Sequence, residues 1–308
     1  MSEVNTQKYG RVGVLYGGNS AEREISLKSG AAVQSALEGQ GVYCVGIDIG
    51  KNSIVELQAA ELDRAFIALH GPGGEDGKIQ AVLEYLEIPF TGSRVQASAI
   101  AMDKLRTKQL WQAMGVSTPD FAVLDDDTDW AAVIERLGGD VMVKPAHEGS
   151  SIGMSRVNTA SALHRAYQLA AEYDGLVIAE KLIVGAEYTV AILGDRALPP
   201  IKLETGHTFY DFEAKYVTGD TQYICPCGLS DEQVETLQSL ALNAFQSIGC
   251  RGWGRVDVMA DANGNFYMLE VNTVPGMTEH SLVPMAGKAK GLNFSELTLA
   301  ILEETLAG

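Results

Sequence analysis

Asp257 and Glu270 stand in two segments, GRVDVM and MLEVN, that otherwise read as buried β-strand. Their spacing decides what chemistry they could perform. Valine-rich and aromatic alternation flanks Asp-Ala-Asn-Gly-Asn at 261–265, and Asn-Gly is the strongest short signal for a two-residue type I′ turn. With Asn263-Gly264 as the loop, Asp257 lies opposite Glu270 and Arg255 opposite Asn272, on one face of a hairpin. Val256, Val258, Leu269 and Val271 then share the apolar, core-facing side.

Like charges directly opposed destabilise a sheet, and at about 5 Å with an effective dielectric of roughly 20 the repulsion is about 3 kcal/mol. A hard divalent cation would offset it. Asp257, Glu270 and Asn272 offer oxygen ligands only, with no His or Cys beside them, which favours Mg²⁺ or Mn²⁺ over zinc. The alternative is a solvated hairpin in which Arg255 neutralises one acid, and the spacing alone leaves both open.

KPAHEGSSIG (144–153) is the second chemically suggestive stretch. A lysine ends a strand and is followed by a loop of small residues whose N–H groups, with the Ser150 and Ser151 hydroxyls, could meet phosphate oxygens while Lys144 adds charge. Read alone, it is equally a plain Ser/Gly turn. Lys104, Lys215 and Arg255 are further cations whose value depends on convergence. GPGGEDGKI (71–79) is no P-loop, because Pro72 stands where the first glycine is needed and Ile79 replaces the Ser/Thr.

The elements that must position these groups follow from periodicity. The first hundred residues alternate: strand 11–16, a helix over about 20–38, strands 42–49 and 64–70, a helix over 78–87 and a short strand 89–92. That order predicts a mostly parallel sheet, with the glycine-rich loops 17–24 and 70–77 at its carboxyl ends. One helix over 96–115 leads to strand 118–124, a helix near 129–137, strand 140–145, a return strand, a helix over 159–173 and strand 175–183, a compact α+β block. Strand 187–193, a long polar-aromatic loop over 205–223, a helix over 230–248, the hairpin and a terminal helix from about Ser295 complete the chain. The expected division is 1–100, 101–185 and 186–308.

Composition sets outer limits. The 308 residues are 46% hydrophobic and 20% charged, enough for a substantial core, and the formal net charge of −17 argues against nucleic-acid or membrane surfaces as partners. The polar N-terminus and the lack of any run near 18 apolar residues point to a cytoplasmic protein. Cys44, Cys225, Cys227 and Cys250 have no metal-site spacing and read as reduced, structural thiols.

GGNSAEREISL, HGPGGEDGKIQ, KPAHEGSSIG, EKLIVGAEYTV, FYDFEAKY, GRVDVM and MLEVNTVPGMTEHS occur in one order over nearly the whole chain. Together they resemble the D-alanine–D-alanine ligases, a family of the ATP-grasp superfamily. The resemblance implies an α/β ATP-grasp fold, in which an N-terminal parallel-sheet domain precedes two α+β subdomains that clamp ATP. It makes Lys144, Glu180, Lys181 and Ile183 adenine or phosphate contacts and Glu187 the ribose contact. Lys104, Lys144, Ser151 and Lys215 would hold phosphates, and Asp257, Glu270 and Asn272 two Mg²⁺ ions.

The resemblance also implies a reaction. The carboxylate of one D-alanine attacks the γ-phosphorus, and the amine of a second displaces phosphate from the resulting acyl phosphate. Arg255 and the Gly276 N–H would meet the oxyanion, and Ser281 and the Leu282 N–H the second carboxylate. Glu22 would take the first ammonium, with His70 nearby; their local alternatives are a capping box with Asn19 and a loop hydrogen bond. Tyr216, networked with Ser150 and Glu22, marks a dipeptide ligase rather than a D-lactate relative. Tyr210 and Phe212 would anchor a lid over 205–223. The family is commonly dimeric, so a homodimer is expected.

Overall fold

Alternation in the first hundred residues builds the expected parallel unit, in a computed structural model that describes residues 6–50, 53–149, 152–204 and 221–306. Strands β1 (Arg11–Gly17), β2 (Tyr43–Ile49) and β3 (Arg64–Ile67) form a sheet of order β2-β1-β3, parallel throughout. Helices α1 (Arg23–Gly39), α2 (Ser53–Ala59) and α3 (Lys78–Tyr85) connect and follow them. The strand expected over 89–92 is reduced to one bridge between Ala65 and Phe90. Pro89 has no N–H to extend a ladder, and Gly92 turns the chain at φ +90°. The seven-residue α2 was not foreseen.

The single helix expected over 96–115 is two, α4 (Val95–Met102) and α5 (Lys104–Ala113). Asp103 adopts an extended conformation between them, and its carboxylate caps α5 by accepting the Arg106 N–H at 2.9 Å. Strands β4 (Phe121–Leu124), β5 (Val141–Pro145), β6 (Ser155–Val157) and β7 (Val177–Lys181) form an antiparallel sheet of order β4-β7-β5-β6. Helices α6 (Trp130–Arg136) and α7 (Ala160–Ala171) cover one face, α7 through the buried Leu163, Ala166 and Ala170 and α6 through the partly buried Trp130, Val133 and Ile134.

The third sheet contains β8 (Gly185–Leu193), β9 (Arg196–Ala197), β10 (Ile201–Glu204), β11 (Gln222–Ile224), β12 (Trp253–Asp261) and β13 (Phe266–Asn272), in the order β11-β10-β8-β12-β13, with β9 on β8. The loop expected to reach 223 ends in β11, whose Gln222 and Tyr223 pair with Glu204 and Leu203. Helix α8 (Asp231–Ser247) packs Leu237, Ala241, Ala244 and Phe245 against Val256, Val258, Met268 and Val271. Helices α9 (Leu282–Ala289) and α10 (Phe294–Glu303) return to the first unit: Leu297, Ile301 and Leu302 share one core with Val12, Val33 and Leu37. The sequence reading had α10 but not α9.

The hairpin departs from its expected turn and recovers its register. Gly264, at φ +82°, donates to Asp261 O, while Asp261 N–H donates to Asn265 O, both at 3.0 Å, so the loop is the three residues Ala262-Asn263-Gly264. A three-residue turn shifts the pairing to Val258 opposite Met268. A one-residue bulge at Leu269 shifts it back, so Asp257 faces Glu270 and Arg255 faces Asn272 as the spacing predicts. Leu269 was expected on the core face; the bulge places it beside Glu270, half-buried, toward the cleft.

Candidate active site

The cleft between the second and third sheets is a cavity of about 740 Å³. Period-two alternation along β12 explains its floor: Val256 and Val258 point to the α8 core, so Asp257 and Met259 point the other way. Of the residues singled out from sequence, Lys104, Lys144, Glu180, Lys181, Ile183, Glu187, Asp257 and Glu270 all line this cavity. Met142, Met154, Met259 and Leu269 supply an apolar lining that sequence reasoning did not anticipate.

Each of the facing acids has a cation of the protein's own. Arg255 Nε and Nη2 donate to Asp257 Oδ1 and Oδ2, both at 2.8 Å, and Lys104 Nζ lies 3.4 Å from Glu270 Oε2. The repulsion is therefore met by ion pairs on both sides of the ribbon. Asp257 also accepts from Thr189 Oγ1 at 2.7 Å and from Asn272 Nδ2 at 3.0 Å. Asn272 thus keeps its amide oxygen as a ligating atom beside two carboxylates, an all-oxygen donor set that suits Mg²⁺ or Mn²⁺. Among the described residues no group of three or more His, Cys, Asp or Glu gathers as a metal cluster, so further ligands would come from Asn272, substrate oxygens and water.

Beneath the cleft lies a buried charge chain. Lys144 Nζ donates to Glu180 Oε2 at 2.9 Å, and Lys108 Nζ stands 3.3 Å from Oε1. Burial works against the Glu180 charge, but the two ammonium groups prevail and lower its pKa. Burial also opposes the charge on Lys144, which Glu180, Glu270 and Glu187 outweigh, raising its pKa. Lys104, one turn before Lys108 on α5, donates to the Glu148 carbonyl at 2.7 Å and holds the 146–149 loop against the cleft. Ser150, Ser151, Lys215 and Tyr216, with Tyr210 and Phe212, lie outside the described residues.

A second group lies within the electrostatic reach of Arg255, whose charge acts on His70 and Glu75. Glu22 begins α1 without the capping box open to it: its side chain makes no cap hydrogen bond. Its carboxylate instead reaches two loops, since a Cβ at Gly71 would lie 2.5 Å, and at Gly149 3.6 Å, from Glu22 Oε2. Gly71 also has φ +69°, so a side chain there would be both strained and obstructed.

His70 is buried with both ring nitrogens engaged. Its Nδ1 donates to the Val274 carbonyl at 2.8 Å and its Nε2 accepts from Ser29 Oγ at 2.9 Å, while Ser29 Oγ accepts the Met277 N–H. Burial lowers the His70 pKa, in keeping with this neutral tautomer. His70 thus holds the 274–277 main chain that carries Gly276. A Cβ at Gly276 would stand 3.1 Å from Ser281 Oγ, and Ser281, whose hydroxyl accepts the Thr278 N–H instead of making a side-chain cap bond, stands at the N-cap position of α9, whose first residue is Leu282.

Glu75 is the residue of this group that sequence reasoning missed, although it sits inside the quoted motif HGPGGEDG. Its Oε2 accepts the Gly71 N–H at 2.8 Å and its Oε1 the Val274 N–H at 3.2 Å, tying the loop after His70 to the chain that carries Gly276. Burial, with the nearby Glu22 charge, pushes its carboxyl up to about 8 against the pull of those N–H groups and Arg255. Elsewhere, Cys225 borders the first core and Cys227 lies in the second, consistent with structural thiols.

Residues 49–93 match the family model for the D-ala D-ala ligase N-terminus, and residues 110–303 the model for the C-terminus. A D-alanine–D-alanine ligase of Saccharophagus degradans is 59% identical over 302 residues, covering 98% of this chain and 96% of the relative. One of Pseudomonas putida is 56% identical over 306 residues, covering 99% and 96%. Among solved structures, the Bacillus anthracis D-alanine–D-alanine ligase complexed with ATP superposes with a TM-score of 0.85 at 32% identity, covering 96% of this chain and 97% of the other. The chain belongs to the D-alanine–D-alanine ligase family and has its ATP-grasp fold.

Proposed function

We propose that the cleft between the second and third sheets binds ATP and that the adjoining group around Glu22, Arg255 and Ser281 holds two D-alanine molecules for ligation to D-alanyl-D-alanine, a peptidoglycan precursor. The observation that carries this reading is the in-register pair Asp257 and Glu270 at the floor of a cleft whose walls bear Lys104, Lys144 and Glu180. Glu180 Oε1 is buried beside the Lys108 ammonium at 3.3 Å, and with no hydrogen bond of good geometry among the described residues it keeps a lone pair that suits the exocyclic amine of adenine. Lys181 and Ile183 line the same cavity, and Glu187, paired with Met259 of β12, would take the ribose hydroxyls.

Asp257, Glu270 and Asn272 would hold Mg²⁺, or Mn²⁺, which when bound supplies positive charge at the phosphate oxygens. Lys104 and Lys144, with Ser151 and Lys215, would align the phosphates. Attack by the first carboxylate on the γ-phosphorus forms the acyl–phosphate bond and breaks the bond to ADP. The second amine then attacks the carbonyl carbon and phosphate leaves with the oxygen it received. Arg255 and the Gly276 N–H would stabilise the oxyanion of that step, and the helix N-terminus at Ser281 and Leu282 suits a carboxylate. Glu22 would take the first ammonium, in a network with Ser150 and Tyr216, and His70 holds the loop opposite.

Among the described residues no helix is long and apolar enough to cross a membrane. We read the protein as cytoplasmic and homodimeric; of the lid expected over 205–223, residues 205–220 with Tyr210 and Phe212 lie outside the described residues and 222–223 belong to β11. Release of ADP and phosphate tests the function, measured with D-alanine alone and with D-alanine plus D-lactate at neutral pH. The ligase reading requires turnover with D-alanine alone and no gain from D-lactate. Binding of Mg-ATP without phosphate release would reduce the protein to a nucleotide-binding module.

A further inference from the structure

We propose that Lys108 is a positioning residue that sets the width of the cleft at its adenine end by tying the two walls together from behind. Lysine is almost never fully buried without a partner, yet the Lys108 side chain is 0% exposed and lines no part of the cavity. Its ammonium reaches in two directions. Toward the second sheet it lies 3.3 Å from Glu180 Oε1 on β7. Toward the third it donates at 2.7 Å to Thr118 Oγ1, which donates at 2.8 Å to the carbonyl of Met268 on β13. The Met268 N–H closes the same junction by donating to Ser117 O at 2.9 Å.

Met268 is the residue before the bulge at Leu269, and Leu269 and Glu270 line the cleft. One ammonium therefore spans from the carboxylate at one wall to the main chain that aims the opposite wall. A lysine one turn earlier, Lys104, spans the same gap at the phosphate end, from the Glu148 carbonyl to Glu270. Lys104 and Lys108 are four residues apart on α5, so a single helix face sets the separation of the walls at two depths. Burial lowers the Lys108 pKa to about 8 and Glu180 is the main force holding its proton, so the ion pair is maintained by the geometry it creates. A purely structural role would be served as well by an apolar side chain, since buried ion pairs are commonly no better for stability than hydrophobic groups of similar volume.

The inference rests on the nucleotide reading of the cleft, and the test separates the two. Lys108→Met keeps the stem and removes the ammonium; Thr118→Val removes the hydroxyl link at nearly constant shape and leaves Lys108 in place. Loss of a hydrogen bond to a charged group is expected to raise KM for ATP about tenfold or more in Lys108→Met, with kcat and KM for D-alanine changed by less than about threefold. Calorimetry of a non-hydrolysable ATP analogue with Mg²⁺ on the full chain should show the same loss. Thr118→Val should raise KM for ATP by a smaller factor, and in a Glu180→Gln background Lys108→Met should add little.

A KM for ATP within twofold of wild type in folded Lys108→Met overturns the inference. Should that variant fail to fold, an unchanged KM for ATP in Thr118→Val overturns it instead. Wild-type protein that does not bind the analogue sinks the nucleotide reading itself, whereas binding by wild type with equal binding by both variants sinks only the role of Lys108.

Discussion

Glu270 experiences two opposing influences whose balance can be measured. Asp257 faces it directly and repels it, while Lys104 at 3.4 Å attracts it. Removing its charge in Glu270→Gln therefore leaves the folded chain about as stable or slightly more so. If the carboxylate serves charge neutralisation at the phosphates, kcat falls by about a hundredfold or more, the order seen when one group aimed at transition-state charge is lost. Thermal melting and single-turnover phosphate release distinguish the effects, and an unchanged kcat would remove Glu270 from the reaction. Glu75 makes a pH prediction of definite sign. Its folded-state pKa, about 8, lies above that of an exposed carboxyl, so its contribution to stability is complete below the unfolded value and is lost as pH rises through 8. Denaturant titrations between pH 5 and 8 should show wild type losing stability relative to Glu75→Gln, with a slope of at most about 1.4 kcal/mol per pH unit. Parallel curves for the two proteins would place the Glu75 carboxyl back in the ordinary range.

Positions on the elements were legible where one periodicity ruled and obscure where two competed. The faces of β12 could be read because Val256 and Val258 alternate with Arg255 and Asp257, and that alternation survived a wrong turn type because the bulge at Leu269 compensates the longer loop. Nothing in the spacing separates a two-residue loop from a three-residue loop with a later bulge; Asp261, which accepts the N–H groups of Asn263 and Asn265, makes the difference. Lys108 and Glu75 escaped notice for another reason: each acts through buried contacts between segments distant in sequence. The break between α4 and α5 was hidden by continuous helical propensity, although Asp103 three residues before Arg106 is an ordinary cap. Asp103→Ala should cost about 1 kcal/mol through the lost cap. Because Lys104 is the first residue of α5, fraying there should also weaken ATP binding while sparing D-alanine. Equal effects on both substrates would mean that α5 does not act through Lys104.

At the scale of the whole molecule, the two halves of the site stand on different cores. The floor of the cleft is backed by Val256, Val258, Met268 and Val271 against α8, whereas Val274, Met277 and Leu282 belong to the core that α10 shares with the first parallel sheet. The chain thus uses its last helix to complete its first unit; Arg64 Nη1 donates to Thr305 Oγ1 at 2.8 Å, and Lys8 pairs with Glu303 at 2.6 Å. Leu297 is fully buried in that core and rests on α9, where a Cβ at Gly287 would come within 3.0 Å of its Cδ2. Truncating it in Leu297→Ala should destabilise the protein by about 2 to 5 kcal/mol, as cavities of this size do. Below the melting transition the remaining effect should be selective. α9 loses a packing partner, and its N-terminus carries Ser281 and Leu282, so KM for D-alanine should rise. The cleft proposed for ATP, supported from the other core, should bind the nucleotide analogue as in wild type. Melting curves, D-alanine saturation and analogue calorimetry on one preparation read all three quantities. A loss of nucleotide affinity equal to the loss of D-alanine affinity would show that the two cores do not divide the site in this way.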